Sequence, residues 1–254
     1  MLVIAHRGAN REAIENSWSA FDLALEGGAT RIELDVQLSR DGHAVVFHDD
    51  EMGGILGRSA LISEMTRAEI EGLKLPNHEP IPFLDEVVHR LLPKVELNIE
   101  IKGPREPLAE CVAGVLASHT LTDKVIVSSF HAEPLIWLRN NAPHLKRACL
   151  LGSDTFTWPF FAVMAPQVFA AQVATHIVHP YVDWVTENFM DQAIARGWKV
   201  YPWVSMAGEE VDREGLWTSL KTLGVHGLCT NYPRQFKSWL EEASLDEREY
   251  RPDP

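Results

Sequence analysis

Cysteine, basic residues and long apolar runs are all scarce in this sequence. Only 3 cysteines occur among 254 residues, and they are too far apart for a structural zinc site or a disulfide framework. We therefore expect a reduced, cytoplasmic setting. Lys and Arg total 23 against 36 Asp and Glu, which gives a formal net charge of −13. This acidic balance argues against general binding to nucleic acid or to an anionic membrane surface.

The sequence also lacks an evident signal peptide or membrane span. Residues 1–7 contain no basic segment and only a short apolar run. The most apolar window, residues 156–174, is interrupted by Pro159 and Pro166, so we expect no stable membrane insertion. We predict that this window packs against the body of the protein; the alternative is an interfacial lid that meets lipid-like substrates.

Short β-branched runs alternate with longer helical patterns along the whole chain, which is typical of parallel strands joined by crossover helices. Eight parallel strands close a barrel. We therefore predict an α/β fold: one eight-stranded parallel (β/α) TIM barrel over residues 1–254, with a flexible tail at 245–254. The predicted strands lie near residues 2–6, 31–37, 97–102, 125–129, 147–151, 176–180, 199–204 and 227–230.

The segment between the second and third barrel strands is longer than one crossover requires. It covers residues 49–96, is partly polar, and carries helical signals at 66–73 and 83–92. Excess length after a barrel strand commonly covers the mouth of the active site. We predict a small cap insertion here.

A further strand-like run at residues 44–48 follows the second strand too closely for a parallel crossover, so it is predicted to turn back as a hairpin. If Asp41 and Gly42 form a two-residue turn, Asp35 faces His48 across the ribbon. A bulged turn would shift this register by one residue.

Charged residues are concentrated at the carboxyl ends of the predicted strands, where barrel enzymes place their catalytic groups. Glu33 and Asp35 are two residues apart and point to the same side of one strand, as do Glu100 and Lys102 on the next. Three carboxylates inside a narrow barrel require a cation, and all-oxygen ligation favours Mg²⁺ or Ca²⁺. The alternatives are buried ion pairs, or a reversed arrangement with these residues on the surface.

Two histidines and two basic residues accompany this cluster. Imidazole titrates near neutral pH, so His6 and His48 are candidates for an acid and base pair. Arg7 and Lys102 are suited to binding phosphate oxygens, although they could also serve to balance the carboxylate charge.

Five motifs together resemble, in order and spacing, the signature of the glycerophosphodiester phosphodiesterase family. They are His6-Arg7-Gly8, Glu15-Asn16-Ser17, Glu33-Leu34-Asp35, His48-Asp49 and Glu100-Ile101-Lys102. Residues 82–86, 128–130 and 227–233 match the family as well.

The resemblance implies metal-dependent hydrolysis of small glycerophosphodiesters to glycerol 3-phosphate and an alcohol, within lipid and glycerol metabolism. It implies a divalent metal on Glu33, Asp35 and Glu100, with His6 and His48 as the acid and base. A glycerol hydroxyl of the substrate is expected to assist the attack on phosphorus. The sequence carries no signal for an oligomeric state.

The resemblance also suggests that Asn16 and Trp203 contact the substrate. Asn16 could instead be a helix N-cap, and Trp203 could instead belong to the core. The sequence departs from the family pattern at Met206, where relatives often carry Asn, and at Asn231, where Asp is usual.

Three rival functions remain open at this stage. Two carboxylates on barrel strands are also the basic requirement of a glycosidase, although the basic residues and histidines favour phosphate. A catalytically silent binding protein and a lipid-cleaving phospholipase on the same barrel are the others.

Overall fold

The computed structural model describes residues 1–49, 51–53, 60–152, 166–205 and 213–249, with side chains described as far as residue 244. Met206 and the apolar residues 153–165 lie outside this part of the chain. No helix within the described ranges is long and apolar enough to cross a membrane.

Eight strands form the wall of a parallel barrel, and one short strand is added at its edge. The strands are β1 (Leu2–Ala5), β2 (Arg31–Leu38), β3 (Ala44–Val46), β4 (Glu96–Ile101), β5 (Val125–Ser129), β6 (Lys146–Leu151), β7 (Ile177–Pro180), β8 (Lys199–Val200) and β9 (Gly227–Thr230). The parallel neighbours follow the order β8-β7-β6-β5-β4-β2-β1-β9, and β3 pairs antiparallel with β2.

Hydrogen bonds between the last two strands complete the ring. The amide of His226 donates to the carbonyl of Val200 at 2.9 Å, and that of Cys229 donates to the carbonyl of Pro202 at 2.8 Å. Trp203 continues this contact by bridging to Tyr181 and to Cys229. The predicted eight-stranded parallel barrel is therefore confirmed.

Helices follow most of the strands and cover the outside of the barrel. The described helices are α1 (Trp18–Glu26), α2 (Arg67–Glu71), α3 (Leu84–Leu91), α4 (Glu106–Ala117), α5 (Ala132–Asn141), α6 (Pro166–Gln172), α7 (Glu187–Ala195), α8 (Arg213–Leu223) and α9 (Pro233–Glu249). The helix α9 continues to Glu249, so it includes the first residues of the predicted flexible tail at 245–254, which stays a prediction. Residues 250–254 lie outside the described part.

Alternation along β2 divides the polar from the apolar side chains. Ile32, Leu34 and Val36 are fully buried in the main hydrophobic core between sheet and helices. Glu33 and Asp35 therefore point to the interior of the barrel, as the sequence pattern predicts. The reversed arrangement, with these carboxylates on the surface, is excluded by their burial.

The insertion after β3 has a small hydrophobic core of its own. Val45, Phe47 and Met52 pack there with Ile62, Ile70 and other apolar residues of this segment. The helix α2 begins with a capping box at Thr66, whose hydroxyl accepts from the amide of Glu69. The described part of this segment thus packs around a separate cluster, the cap insertion stays a prediction, and the crossover to β4 is completed by α3.

The hairpin formed by β2 and β3 differs in register from the two-residue-turn prediction. Val36 pairs with Val46, and Gln37 pairs with Val45. The turn contains one residue more than expected, because Gly42 adopts a positive φ of 84°. Asp35 consequently lies opposite Phe47, whose amide donates to the Asp35 carbonyl at 3.1 Å. The predicted direct pairing of Asp35 with His48 is therefore wrong.

Of the apolar window at residues 156–174, only the end is described. There α6 buries Phe169 and Ala170 in the main core. This described end packs against the barrel wall.

Candidate active site

The turn after β1 brings the backbone of Arg7 into contact with Glu33 of the site. Arg7 and Gly8 both have positive φ, at 55° and 82°. A Cβ atom at Gly8 would lie 2.7 Å from the backbone carbon of Ala20, so the turn and the start of α1 approach closely only because this position is glycine. The turn directs the backbone N–H of Arg7 to Oε2 of Glu33 at 2.9 Å.

Three carboxylates meet at the carboxyl ends of β2 and β4. One oxygen each from Glu33, Asp35 and Glu100 lies within 4.8 Å of the others, and all three residues are buried. The parallel register explains the meeting, because Asp35 pairs directly with Glu100 and Glu33 pairs with Asn98 one layer below. A group of oxygen ligands at this spacing could hold a hard divalent cation.

Two basic side chains contact the carboxylates. Nζ of Lys102 lies 2.6 Å from Oε1 of Glu100 and 2.9 Å from Oδ1 of Asp35. Nε of Arg7 lies 3.3 Å from Oδ2 of Asp35, while its Nη1 donates to Glu15. The ion pairs considered from the sequence are therefore present in the same cluster as the potential ligand oxygens.

These cations do not compensate the three carboxylates equally. Burial alone would raise the pKa of Asp35, but Lys102 and Arg7 outweigh it and hold that pKa well below its usual value. Burial, followed by the charges of Asp35 and Glu100, raises the pKa of Glu33 well above its usual value. Glu33 is therefore the least compensated member, and a further cation here would relieve the repulsion.

His6 is buried beside the cluster and lines the same cavity. Its Nδ1 is 2.8 Å from Oδ1 of Asn231. Burial, and then the charge of Arg7, lower the pKa of His6 to about 3. The ring is therefore neutral at physiological pH.

His48 lies at the opposite, more open side of the site. Its Nδ1 is 2.7 Å from Oδ1 of Asp49, and its backbone carbonyl accepts from Nε2 of Gln37 at 3.0 Å. A carboxylate only accepts hydrogen bonds, so this contact places a proton on Nδ1 of His48. His48 lines the cavity despite the shifted hairpin register, two residues beyond the end of β3.

Asn16 contacts a carboxylate of the cluster and does not cap a helix. Its Nδ2 donates to Oδ2 of Asp35 at 2.9 Å, and its Oδ1 accepts from the Asp35 amide at 3.3 Å. The N-cap of α1 is Ser17, whose side chain accepts from Ala20. The N-cap alternative for Asn16 is therefore wrong, and its amide holds Asp35 in place.

Trp203 forms one wall of the cavity. Its ring packs against Tyr181 and Phe130, with centroids 5.0 Å and 5.6 Å away. Nε1 donates to the carbonyl of Leu151 at 3.1 Å, which fixes the indole with its apolar surface toward the site. The core and cavity alternatives for Trp203 thus both describe part of its surroundings.

The structure gathers the residues proposed from the sequence at one end of the barrel. One cavity is lined by seven of them, His6, Arg7, Glu33, His48, Glu100, Lys102 and Trp203. Asp35 is not among the residues that line this cavity, but it belongs to the carboxylate cluster and binds the Asn16 amide.

Sequence reasoning missed two buried polar residues of this cavity, Asn98 and His179. Asn98 had a detectable signal, since it lies two residues before Glu100 on the same strand face. His179 had been given no role, and no local pattern distinguishes it from the other histidines.

The fold and the site together define a TIM-barrel enzyme with a buried acidic centre that could hold a cation and that has His6 and His48 beside it. The model of the glycerophosphoryl diester phosphodiesterase family matches residues 6–235. The chain therefore belongs to this family, which confirms the prediction made from the motifs.

Individual relatives agree with the family assignment. A glycerophosphodiester phosphodiesterase from Caldanaerobacter subterraneus is 31% identical over 243 residues, covering 91% of this chain and 94% of that protein. A phosphodiesterase from Oleispira antarctica, solved in complex with its product sn-glycerol-3-phosphate, is 25% identical with a TM-score of 0.82 and covers 95% of this chain and 97% of its own. A structure from Galdieria sulphuraria, with a TM-score of 0.81 and 22% identity over 94% of this chain and 97% of its own, supports the fold.

Proposed function

We propose that this enzyme hydrolyses small glycerophosphodiesters to glycerol 3-phosphate and an alcohol, in a reaction that depends on a divalent metal. The observation that carries the proposal is the meeting of Glu33, Asp35 and Glu100 within 4.8 Å, beside a cavity that His6 and His48 line. The product bound by the Oleispira relative supports the choice of substrate class.

The residues present fit a hard divalent cation, Mg²⁺ or Ca²⁺. The ligand set is entirely oxygen. Burial, followed by the charges of Asp35 and Glu100, raises the pKa of Glu33, and Arg7 and Lys102 offset this only in part. Glu33, Asp35 and Glu100 would hold the ion. When bound, it orients the substrate oxygens and offsets the charge that develops on phosphate.

The surroundings of His6 and His48 support a different role for each. His6 is neutral and has an amide partner, so we assign it to accept the proton of the attacking glycerol hydroxyl group. The cyclic phosphate that this attack forms is then opened by water to give glycerol 3-phosphate. His48 has a carboxylate partner in Asp49 and its side chain is more exposed than that of His6, so we assign it to protonate the leaving alcohol.

Substrate binding falls to the remaining residues of the cavity. Lys102 supplies a point charge for the phosphate oxygens, and Arg7 supplies a second positive charge next to it. Trp203 provides an apolar wall for the carbon skeleton of the substrate. Asn16 acts indirectly in this scheme, by orienting Asp35.

One assay tests metal, chemistry and substrate class together. Glycerophosphocholine, glycerophosphoethanolamine and glycerophosphoglycerol are each incubated with the enzyme in Mg²⁺, Ca²⁺ or chelator, and glycerol 3-phosphate is measured. We expect release that chelator abolishes and that His48→Ala nearly abolishes, while His89→Ala on the exposed surface of α3 retains full activity.

The same assay separates the rival functions. Binding of glycerophosphocholine without turnover over hours would identify a binding protein. Cleavage of lysophospholipid vesicles in preference to the soluble diesters would identify a phospholipase, and chelator-resistant cleavage of a chromogenic glycoside would identify a glycosidase. Any of these results would contradict the proposal.

A further inference from the structure

Asn231 joins three segments at the carboxyl end of the barrel. It follows β9 directly, its side chain contacts His6 in the turn after β1, and it also contacts Ser205 in the segment after β8. The residue is 1% exposed, so each of these contacts is made away from bulk solvent. Asn10, after β1, contacts the same amide.

The orientation of the Asn231 amide follows from its partners. Nδ2 of Asn231 donates to the carbonyl of Ser205 at 2.9 Å, and Oδ1 accepts from Nδ2 of Asn10 at 2.8 Å. A flipped Asn231 would place oxygen against the Ser205 carbonyl and would place two NH₂ groups against each other. Asn10 cannot flip to relieve that clash, because its Nδ2 also donates to the carbonyl of His6 at 2.8 Å. Only one orientation of the two amides therefore satisfies the side chains of Asn231 and Asn10 together with the carbonyl groups of Ser205 and His6.

This arrangement determines the tautomer of His6. Because the atom of Asn231 that faces the ring is an oxygen, Nδ1 of His6 must carry the proton. Nε2 is then the nitrogen with the lone pair in the neutral ring, and it is the atom that can accept a proton from a hydroxyl group.

The carbonyl of Ser205 also explains why an amide suits this position. A carboxylate here would accept from His6 and Asn10 equally well, but its second oxygen would face the Ser205 carbonyl, where a donor is required. An amide satisfies all three partners and adds no negative charge beside the ring.

We infer that Asn231, oriented by Asn10 and Ser205, is a positioning residue that holds His6 in the Nδ1–H tautomer and so prepares Nε2 as the proton acceptor. This inference rests on the role proposed for His6. A purely structural role for Asn231 would not fix the position of this proton, whereas the role inferred here places it on Nδ1 of His6.

Nuclear magnetic resonance tests the claim without any turnover. Long-range ¹H–¹⁵N correlation spectra of the Mg²⁺-loaded, ¹⁵N-histidine-labelled enzyme distinguish a protonated from an unprotonated ring nitrogen. The His6 signals are identified among the 11 histidines by their loss in His6→Gln. We expect a protonated Nδ1 and an unprotonated Nε2 in the wild type. A wild-type His6 protonated on Nε2 would overturn the inference, whether or not the enzyme hydrolyses diesters.

Variants of Asn231 extend the test to catalysis. Asn231→Leu removes the acceptor, so we expect mixed His6 tautomers and a kcat for glycerophosphocholine lowered by at least about tenfold with little change in KM. Asn231→Asp keeps an acceptor, and we expect it to retain the Nδ1–H tautomer and to recover most of the kcat lost in Asn231→Leu. Asn140→Leu, at an exposed position of α5, serves as the matched control and should behave as wild type.

The inference fails if folded Asn231→Leu keeps both the wild-type tautomer and the wild-type kcat. Folding is checked by circular dichroism. If Asn231→Leu does not fold, the wild-type spectrum and the Asn231→Asp variant decide the question, since loss of the Nδ1–H tautomer in Asn231→Asp would also overturn it. A wild type that shows the expected tautomer but releases no glycerol 3-phosphate would contradict the proposed function alone.

Discussion

The ammonium group of Lys102 lies 2.9 Å from Oδ1 of Asp35, so the residue directly after β4 compensates the charge of the most buried carboxylate of β2. Its other contact, with Glu100 at 2.6 Å, makes it the bridge between the two strands. Lys102 therefore has two functions in the proposed scheme. It compensates the cluster in the metal-free protein, and it contributes a positive charge for substrate phosphate.

Replacing Lys102 by Met should reveal both functions. Loss of one partner from a buried ion pair costs about 3 kcal/mol, so we expect a lower Tm in chelator. The difference in Tm between Lys102→Met and the wild type should be smaller in Mg²⁺, because the ion supplies positive charge to the same carboxylates. The KM for glycerophosphocholine should rise at least about tenfold. Lys102→Arg keeps the charge and should show the smaller effects; an unchanged KM in Lys102→Met would contradict a role in phosphate binding.

Metal binding should stabilise the fold measurably. A ligand present at a hundred times its Kd adds about 2.7 kcal/mol, which in a domain of this size corresponds to a Tm increase of roughly 5–10 °C. We expect this increase with Mg²⁺ or Ca²⁺, and we expect Glu33→Gln to lose most of it. Calorimetry measures the effect. Glu110→Gln, at an exposed position of α4, should respond as wild type, and a wild-type Tm indifferent to both metals would refute the metal site.

The roles assigned to His6 and His48 can be separated by the choice of leaving group. A nitrophenol leaves readily as its anion and needs no proton donor, whereas choline is a poor leaving group and needs one. His48→Gln should therefore lose activity on glycerophosphocholine but retain much of it on the nitrophenyl ester of glycerol 3-phosphate. His6→Gln should lose activity on both esters. The opposite pattern, with His6→Gln rescued by the activated ester, would reverse the assignment.

The barrel and its carboxylate cluster were predictable because they depend on local patterns. The alternation along β2 has a period of two, so Glu33 and Asp35 had to share a face once Ile32 and Leu34 were assigned to the core. The parallel register then brings Glu100 opposite Asp35. Strand order and alternation together were sufficient to predict three side chains meeting inside the barrel.

Other features depend on single backbone angles or on distant contacts, which the sequence does not specify directly. The hairpin register shifted because Gly42 adopts positive φ, and both turn types are compatible with Asp-Gly. Asn16 and Ser17 are both good N-cap residues, and tertiary contact with Asp35 decided between them. The contact between His6 and Asn231 spans 225 residues, so only the closed barrel reveals it.

His179 should make the protein sensitive to acid. It is buried against Tyr201, with ring centroids 5.5 Å apart, and burial followed by the charge of Arg31 lowers its pKa to about 3. The unfolded chain binds a proton near pH 6.5, whereas the folded protein does not. The stability is therefore complete above about pH 6.5 and declines as the pH falls toward 3, by about 2 kcal/mol at pH 5.

The variant His179→Asn removes this titration. Its free energy of unfolding, measured by urea denaturation between pH 7 and 5, should decline less than that of the wild type by roughly 2 kcal/mol. His6 also has a lowered pKa, but it is present in both proteins, so its contribution to the pH dependence of the free energy of unfolding cancels in the comparison. An identical decline in both proteins would show that His179 does not titrate in this way.

Gly152 leaves the space that the indole of Trp203 occupies. A Cβ atom at this glycine would lie 2.6 Å from Cζ2 of Trp203 and 3.1 Å from Cβ of Tyr181, closer than side chains tolerate. Gly152→Ala should therefore displace the indole from its place in the cavity wall and raise the KM for glycerophosphocholine by several-fold, about 1 kcal/mol of binding energy. Metal binding should be retained, because the carboxylates lie on other strands.

Gly114→Ala provides the matched control for this substitution. A Cβ at Gly114 meets no atom within 4 Å, and its position in the interior of α4 should make the alanine stabilising by about 0.5–1 kcal/mol without any effect on KM. Tryptophan fluorescence and steady-state kinetics on both variants distinguish the two cases. If Gly152→Ala leaves the KM at the wild-type value while the indole has moved, then Trp203 does not contact the substrate, and its role is confined to packing with Tyr181 and Phe130.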